Sequence, residues 1–136
     1  MNGMREAATA ALILKEFINP RQLSFTGGLC RGEEGQFFMD KMVELAALIT
    51  TMPKTGEQSE SDDPIAYLHY FLGNMDWYIT EKDVGDVEEP GQHQAFGLAN
   101  LGYGGELGYI SIVELLENNI ELDYHFTPKK LSEIKK

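Results

Sequence analysis

The chain has 136 residues, 43% of them hydrophobic, a net charge of −11 and one cysteine, Cys30. That is enough apolar material for one modest core and too little length for two large domains, and a single thiol excludes both an intrachain disulfide and a cysteine-rich metal site. The charge is uneven: residues 57–128 hold fifteen acids against one lysine, Lys82, for a net −14, while residues 1–56 are balanced at six and six and residues 129–136 sum to +3. A field of that sign repels phosphates and attracts basic protein surfaces.

Along residues 4–18, Ala7, Ala11, Leu14 and Ile18 recur at spacings of three and four, with Ala8 and Leu12 widening the stripe. This predicts a first helix, for which Asn19-Pro20 supplies a stop. Residues 23–35 contain Gly27, Gly28, Gly32 and Gly35, a density that predicts irregular chain. Gly27-Gly28 reads as a turn, because neither its spacing nor the residues after it make a nucleotide motif. A second helix is expected from about residue 34 to 51, with Phe38, Met42, Leu45, Ala46 and Ile49 on one face, pairing with the first. Pro53 and the polar run through Asp63 then predict a flexible connection, which separates a helical extension, residues 1–56, from an acidic α+β domain, residues 57–136.

Beyond Pro64, two aromatic and β-branched runs, 65–72 and 75–80, flank Gly73-Asn74 and predict a hairpin. Residues 94–100 and 107–110 extend the sheet, whose central strands carry Tyr70, Trp77, Phe96 and Tyr109 as packing residues. Ser111-Ile112-Val113-Glu114 has the form of a capping box, so a helix burying Ile112, Leu115 and Leu116 starts there and closes at Asn118-Asn119. Residues 120–126 predict a last strand, and Thr127-Pro128 a cap and first-turn proline for a short helix bearing Leu131 and Ile134, with Lys135-Lys136 at its end. The fold class is α+β: a small antiparallel sheet with packed C-terminal helices, preceded by an N-terminal helical hairpin.

The histidines are His69, His93 and His125, and their spacing gives no sign that they converge on a metal. Asp76, Glu81, Glu106 or Asp123 beside one of them would offer acid–base chemistry, yet no local motif fixes a nucleophile, an oxyanion site or a cofactor. Asp83, Asp86, Glu88 and Glu89 lack the donor order and central glycine of a calcium loop and read as a solvated acidic loop turned back by Pro90-Gly91. No metal or cofactor is expected. Direct nucleic-acid binding meets an electrostatic objection, since only Arg5, Arg21, Arg31 and Lys41, or the last lysines, form basic groups of any size. No signal-peptide pattern and no membrane-length apolar run occurs, which predicts a cytoplasmic protein that does not engage membrane.

The favoured function is a non-enzymatic, acidic protein-binding module. Asp76, Glu81, Glu88, Glu89 and Glu106 are its expected electrostatic contacts, and Trp77 and Tyr78 its anchors. The expected partner is a basic protein that handles nucleic acid, with carboxylates standing in for phosphates. The alternative is a metal-assisted nuclease or other hydrolase acting on nucleic acid, which convergence of His69, His93 and an acid in a cleft would favour.

The segments Tyr70-Phe71-Leu72-Gly73, Asp76-Trp77-Tyr78-Ile79-Thr80-Glu81, Ala95-Phe96-Gly97-Leu98, Glu106-Leu107-Gly108-Tyr109-Ile110-Ser111 and His125-Phe126-Thr127-Pro128-Lys129-Lys130-Leu131, in that order, resemble domain-of-unknown-function family 2958 over roughly residues 64 to 134. At Glu121-Leu122-Asp123 the chain departs from the family pattern, which often places an arginine between the acids, so no role of that cation carries over. The family is met largely in bacterial plasmids, phages and other mobile elements and supplies no catalytic residues. The resemblance therefore implies a mobile-element setting, in which an acidic inhibitor of host defence, such as restriction or CRISPR machinery, is a reasonable expectation.

Overall fold

The computed structural model describes residues 2–85, 88, 92–102 and 104–134. Helix α1 (Met4–Leu14) buries Ala7, Ala10 and Leu14, and the chain leaves it in a turn that still buries Phe17 and Ile18. A second helix, α2 (Pro20–Leu29), occupies the glycine-rich stretch expected to be irregular. Asn19 Oδ1 accepts from Gln22 N at 2.8 Å and Pro20 stands at the first helical position, so the pair that reads as a stop is in fact a start. Gly27 and Gly28 lie within its last turns; tertiary bonds made by Asn19, Gln22 and Thr26 outweigh their poor helix propensity. Helix α3 (Gly35–Thr51) buries Met42, Leu45, Ala46 and Ile49 and packs along α1.

The connection through residues 53–63 is tied to the sheet by hydrogen bonds instead of hanging free. The Gln58 carboxamide donates to Ile65 O and Thr80 O at 2.9 and 2.8 Å and accepts from Ile65 N at 2.8 Å, while Thr55 N donates to Lys82 O at 2.9 Å.

Strands β1 (Ile65–Ala66), β2 (Leu68–Leu72), β3 (Met75–Glu81), β4 (Ala95–Asn100) and β5 (Gly105–Ile110) come next, then α4 (Ile112–Glu117), β6 (Glu121–Leu122), β7 (Lys129–Lys130) and α5 (Leu131–Ile134). The main sheet is antiparallel with order β5-β4-β3-β2-β6; β1 and β7 pair separately. Gly73, at φ +60°, makes the expected hairpin turn, and Ser111 Oγ caps α4 by accepting from Glu114 N at 3.2 Å. The C-terminal expectations need correction. The last strand is two residues long, and Pro128 leads into β7, with α5 beginning three residues later, because Lys129 and Lys130 pair with Ala66 and Ile65. Lys135 and Lys136 lie outside the described residues.

Register gives the sheet two distinct faces. Leu68, Tyr70, Trp77, Ile79, Ala95 and Ile110 point to the helices and form one apolar cluster with α1, α3 and α4. Residues on both sides of position 56 thus share a core. Polar ties reinforce it: Tyr70 Oη donates to Phe17 O, Asn19 Nδ2 to Ile120 O at 3.1 Å, and Lys82 Nζ to Ile49 O and Thr50 O at the end of α3. The opposite face carries His69, Phe71, Asp76, Tyr78, Phe96, Leu98, Leu107 and Tyr109. Its middle is covered by Ala66, Leu131, Phe126 and Ile134 around Leu98 and Tyr78.

Candidate functional site

The residues expected to meet a partner divide three ways. Trp77 is 9% exposed in the helix-facing core, and Glu81 is 4% exposed with its carboxylate accepting from Gly56 N and Gln58 N at 2.7 and 2.8 Å. Neither is an accessible contact, because the first packs the sheet on the helices and the second folds the turn after α3. Asp76 and Tyr78 belong to a cluster around His69. Glu88 and Glu106 are exposed, and Glu89 lies outside the described residues.

His69 is held from both sides. Its Nε2 is 2.7 Å from Asp76 Oδ1 and its Nδ1 is 3.0 Å from Asp123 Oδ2. The β2–β3 register sets His69 opposite Tyr78, and the rings stack at 4.5 Å and 7°; Phe126 leans on both. Asp123 is positioned by its own backbone, since its N donates to His69 O at 2.8 Å and its Oδ1 accepts from His125 N at 2.9 Å. Burial, followed by the Asp76 and Asp123 carboxylates, pushes the Tyr78 phenol up.

The arrangement limits the chemistry available to it. An ionised carboxylate only accepts, so two of them satisfied by one imidazole require a proton on each ring nitrogen or on one carboxyl group. Both ring nitrogens are thus engaged within the cluster. The acids bracket the ring and do not converge. His93 N donates to Asp83 Oδ2 and the His125 ring stacks on Phe37 at 6.5 Å, so neither ring is among the hydrogen-bond partners of His69. Among the described residues no group of three or more His, Cys, Asp or Glu side chains is placed to hold a metal ion. The contact of Asp76 with His69 had a legible signal: the two residues flank the Gly73-Asn74 turn and become diagonal neighbours on one face once the hairpin forms. Asp123 had none, as it arrives from beyond β6.

The open end of the same face forms a groove of about 340 Å³ between residues 55–64 and β5. Phe96 and Tyr109, edge to face at 5.5 Å, make its floor beside Leu107; Gln58, Ser61 and Asp62 line the other side. Leu107 and Tyr109 are 52% and 70% exposed, which departs from the expected central packing of Tyr109 because β5 is the outermost strand. Glu106 alternates onto the other face of β5. Lys82, the lysine of the acidic segment, has its ammonium on the carbonyls of α3. Asp83 is engaged locally: burial opposes its ionisation, but N–H groups of Gly85, Gln94 and His93 outweigh that and hold it below the usual carboxylate range. A second groove, about 500 Å³ between α2 and β6, is lined by Arg21, Phe25, Glu121 and Tyr124 and carries both signs of charge.

Comparison with known proteins places the chain in a family. The family model described as protein of unknown function (DUF2958) matches residues 41–134, and the chain belongs to that family. The match begins within α3 and includes the whole sheet, the His69 cluster and the β5 groove. No curated protein and no solved structure matches the chain.

Proposed function

We propose that this DUF2958 member is a non-enzymatic protein-binding module whose acidic surface engages a basic protein that handles nucleic acid. The carrying observation is the imbalance of accessible charge in residues 57–128. Glu57, Glu60, Asp62, Glu106, Glu114, Glu117 and Glu121 are exposed, whereas the one lysine there is committed to the end of α3. Such a surface is repelled by phosphates and drawn to a groove built for them, and it speeds encounter with that partner. A restriction or CRISPR nuclease is a partner of this class, and the mobile-element setting implied by the resemblance is one in which its inhibitor would act. Bracketing of His69 at both nitrogens supports a binding role over acid–base catalysis.

The test is capture of partners from a bacterial host extract on the immobilised protein at low and high salt, with competing duplex DNA. A nucleic-acid-handling protein that is captured at low salt and released by DNA is the expected result. Capture of none, or capture indifferent to both salt and DNA, refutes the reading.

A further inference from the structure

We infer that β5 is a docking edge that adds an extended segment of the partner as a sixth strand, with apolar side chains in the Phe96–Tyr109 groove and lysine or arginine at alternate positions. This rests on the binding reading above and deepens it.

The two edges of the main sheet are treated differently. At β6 the Gln22 carboxamide donates to Leu122 O at 2.8 Å and accepts from Leu122 N at 2.9 Å, which completes that edge as a neighbouring strand would. At β5, six residues long, the strand partner among the described residues is β4 alone. It has no lysine, no proline and no bulge, and its one charged side chain is Glu106, which turns away like charge and not a cationic strand. Gly105 and Gly108 present no side chain to hold off another backbone, while Leu107 and Tyr109 offer apolar area.

Alternation in an added strand decides the occupant. Every second side chain would fall on the face of Leu107 and Tyr109 and enter the groove; the others would fall on the face of Glu106. On the far side of the groove the exposed Asp62 adds a second negative group. A second copy of this chain fits poorly, since each carries −11. An extended segment alternating apolar and basic residues fits both the groove and the field.

The probe is a short fluorescent peptide alternating valine and lysine, with two backbone N-methylated versions, one methylated at the valines and one at the lysines. All three carry the same charge, but in a strand the two methylation patterns block opposite backbone edges. Addition to β5 predicts binding by the parent peptide, and a loss of roughly tenfold or more for one methylated version only, the scale of two lost backbone hydrogen bonds. It also predicts that Leu107→Lys abolishes binding while Glu117→Gln, an equal change in charge, weakens it by roughly twofold. No binding by the parent, equal binding by all three, or equal loss in the two variants overturns the inference. A DNA-displaced partner captured from extract would survive that failure, so the general reading and this edge-specific one fall separately.

Discussion

Replacing Gln22 with alanine tests how α2 is joined to the sheet. The amide makes two bonds to one buried residue, Leu122, so Gln22→Ala removes the acceptor of its N–H and the donor to its carbonyl together. A backbone group left unpaired costs about 1–3 kcal/mol where water is excluded. Gln22 lines the groove beside Tyr124, so water reaches part of the vacated space and the lower half of that range applies, giving about 2–4 kcal/mol for the pair. With a urea slope of about 1–3 kcal/mol/M, the midpoint of unfolding falls by roughly 0.7 M at the least and by up to about 4 M. Urea unfolding followed by the fluorescence of buried Trp77 reads this directly. Gln22→Glu serves as a second variant: one oxygen still accepts from Leu122 N, the other faces Leu122 O, and stability falls at least as far. A midpoint shift under roughly 0.3 M in both variants would show that the amide does not complete the β6 edge.

Other substitutions read other parts of the construction. A Cβ at Gly97 would lie 1.9 Å from Tyr78 O, a backbone atom, so Gly97→Ala should cost at least about 3 kcal/mol; a wild-type urea midpoint would refute that approach. Lys82→Met strips the ammonium from the carbonyls of Ile49 and Thr50, and about 1–2 kcal/mol with faster amide exchange in the last turn of α3 is expected, against unchanged exchange if the contact is idle. Burial, aided by Tyr124, raises the Tyr70 phenol far above its ordinary value, so the folded chain holds a proton that the unfolded chain releases. That contribution is complete below about pH 10 and is lost as pH rises further; Tyr70→Phe should flatten the alkaline decline while costing about 1–2 kcal/mol at neutral pH, and an unchanged alkaline slope would refute it.

Local chemistry that is also decisive in three dimensions was legible in the sequence. Gly73-Asn74 gave the hairpin, Ser111 gave the start of α4, and the apolar repeat through Ile49 gave α3, because each of these rests on neighbours within a turn or two. The misread stretches are those where a remote group overrules propensity. α2 forms over two glycines because Asn19, Gln22 and Thr26 reach Ile120, Leu122 and Tyr124 about a hundred residues away. Composition likewise does not separate a carboxylate that folds the chain from one that faces water. Glu81 and Glu106 look alike in sequence, yet one accepts two backbone N–H groups under the sheet and the other lies exposed on its edge. Periodicity placed Trp77 in a strand but could not say which face the helices would cover.

An open edge bearing Leu107 and Tyr109 would ordinarily invite pairing between copies, and the charge excess acts against that at the distance where it counts. Paired strands lie about 4.8 Å apart, inside the Debye length of about 8 Å at physiological salt, so acids beside β5 repel a second copy before its strand can register. The same carboxylates lower the barrier for a cationic segment. One field therefore sorts occupants of one edge by sign, and salt should reverse the sorting. At about 1 M sodium chloride, where the screening length falls to about 3 Å, the valine–lysine peptide should dissociate and the protein should begin to self-associate through β5, visible as concentration-dependent sedimentation that Leu107→Lys suppresses. A monomer at every salt concentration would mean that something other than charge keeps this edge unpaired.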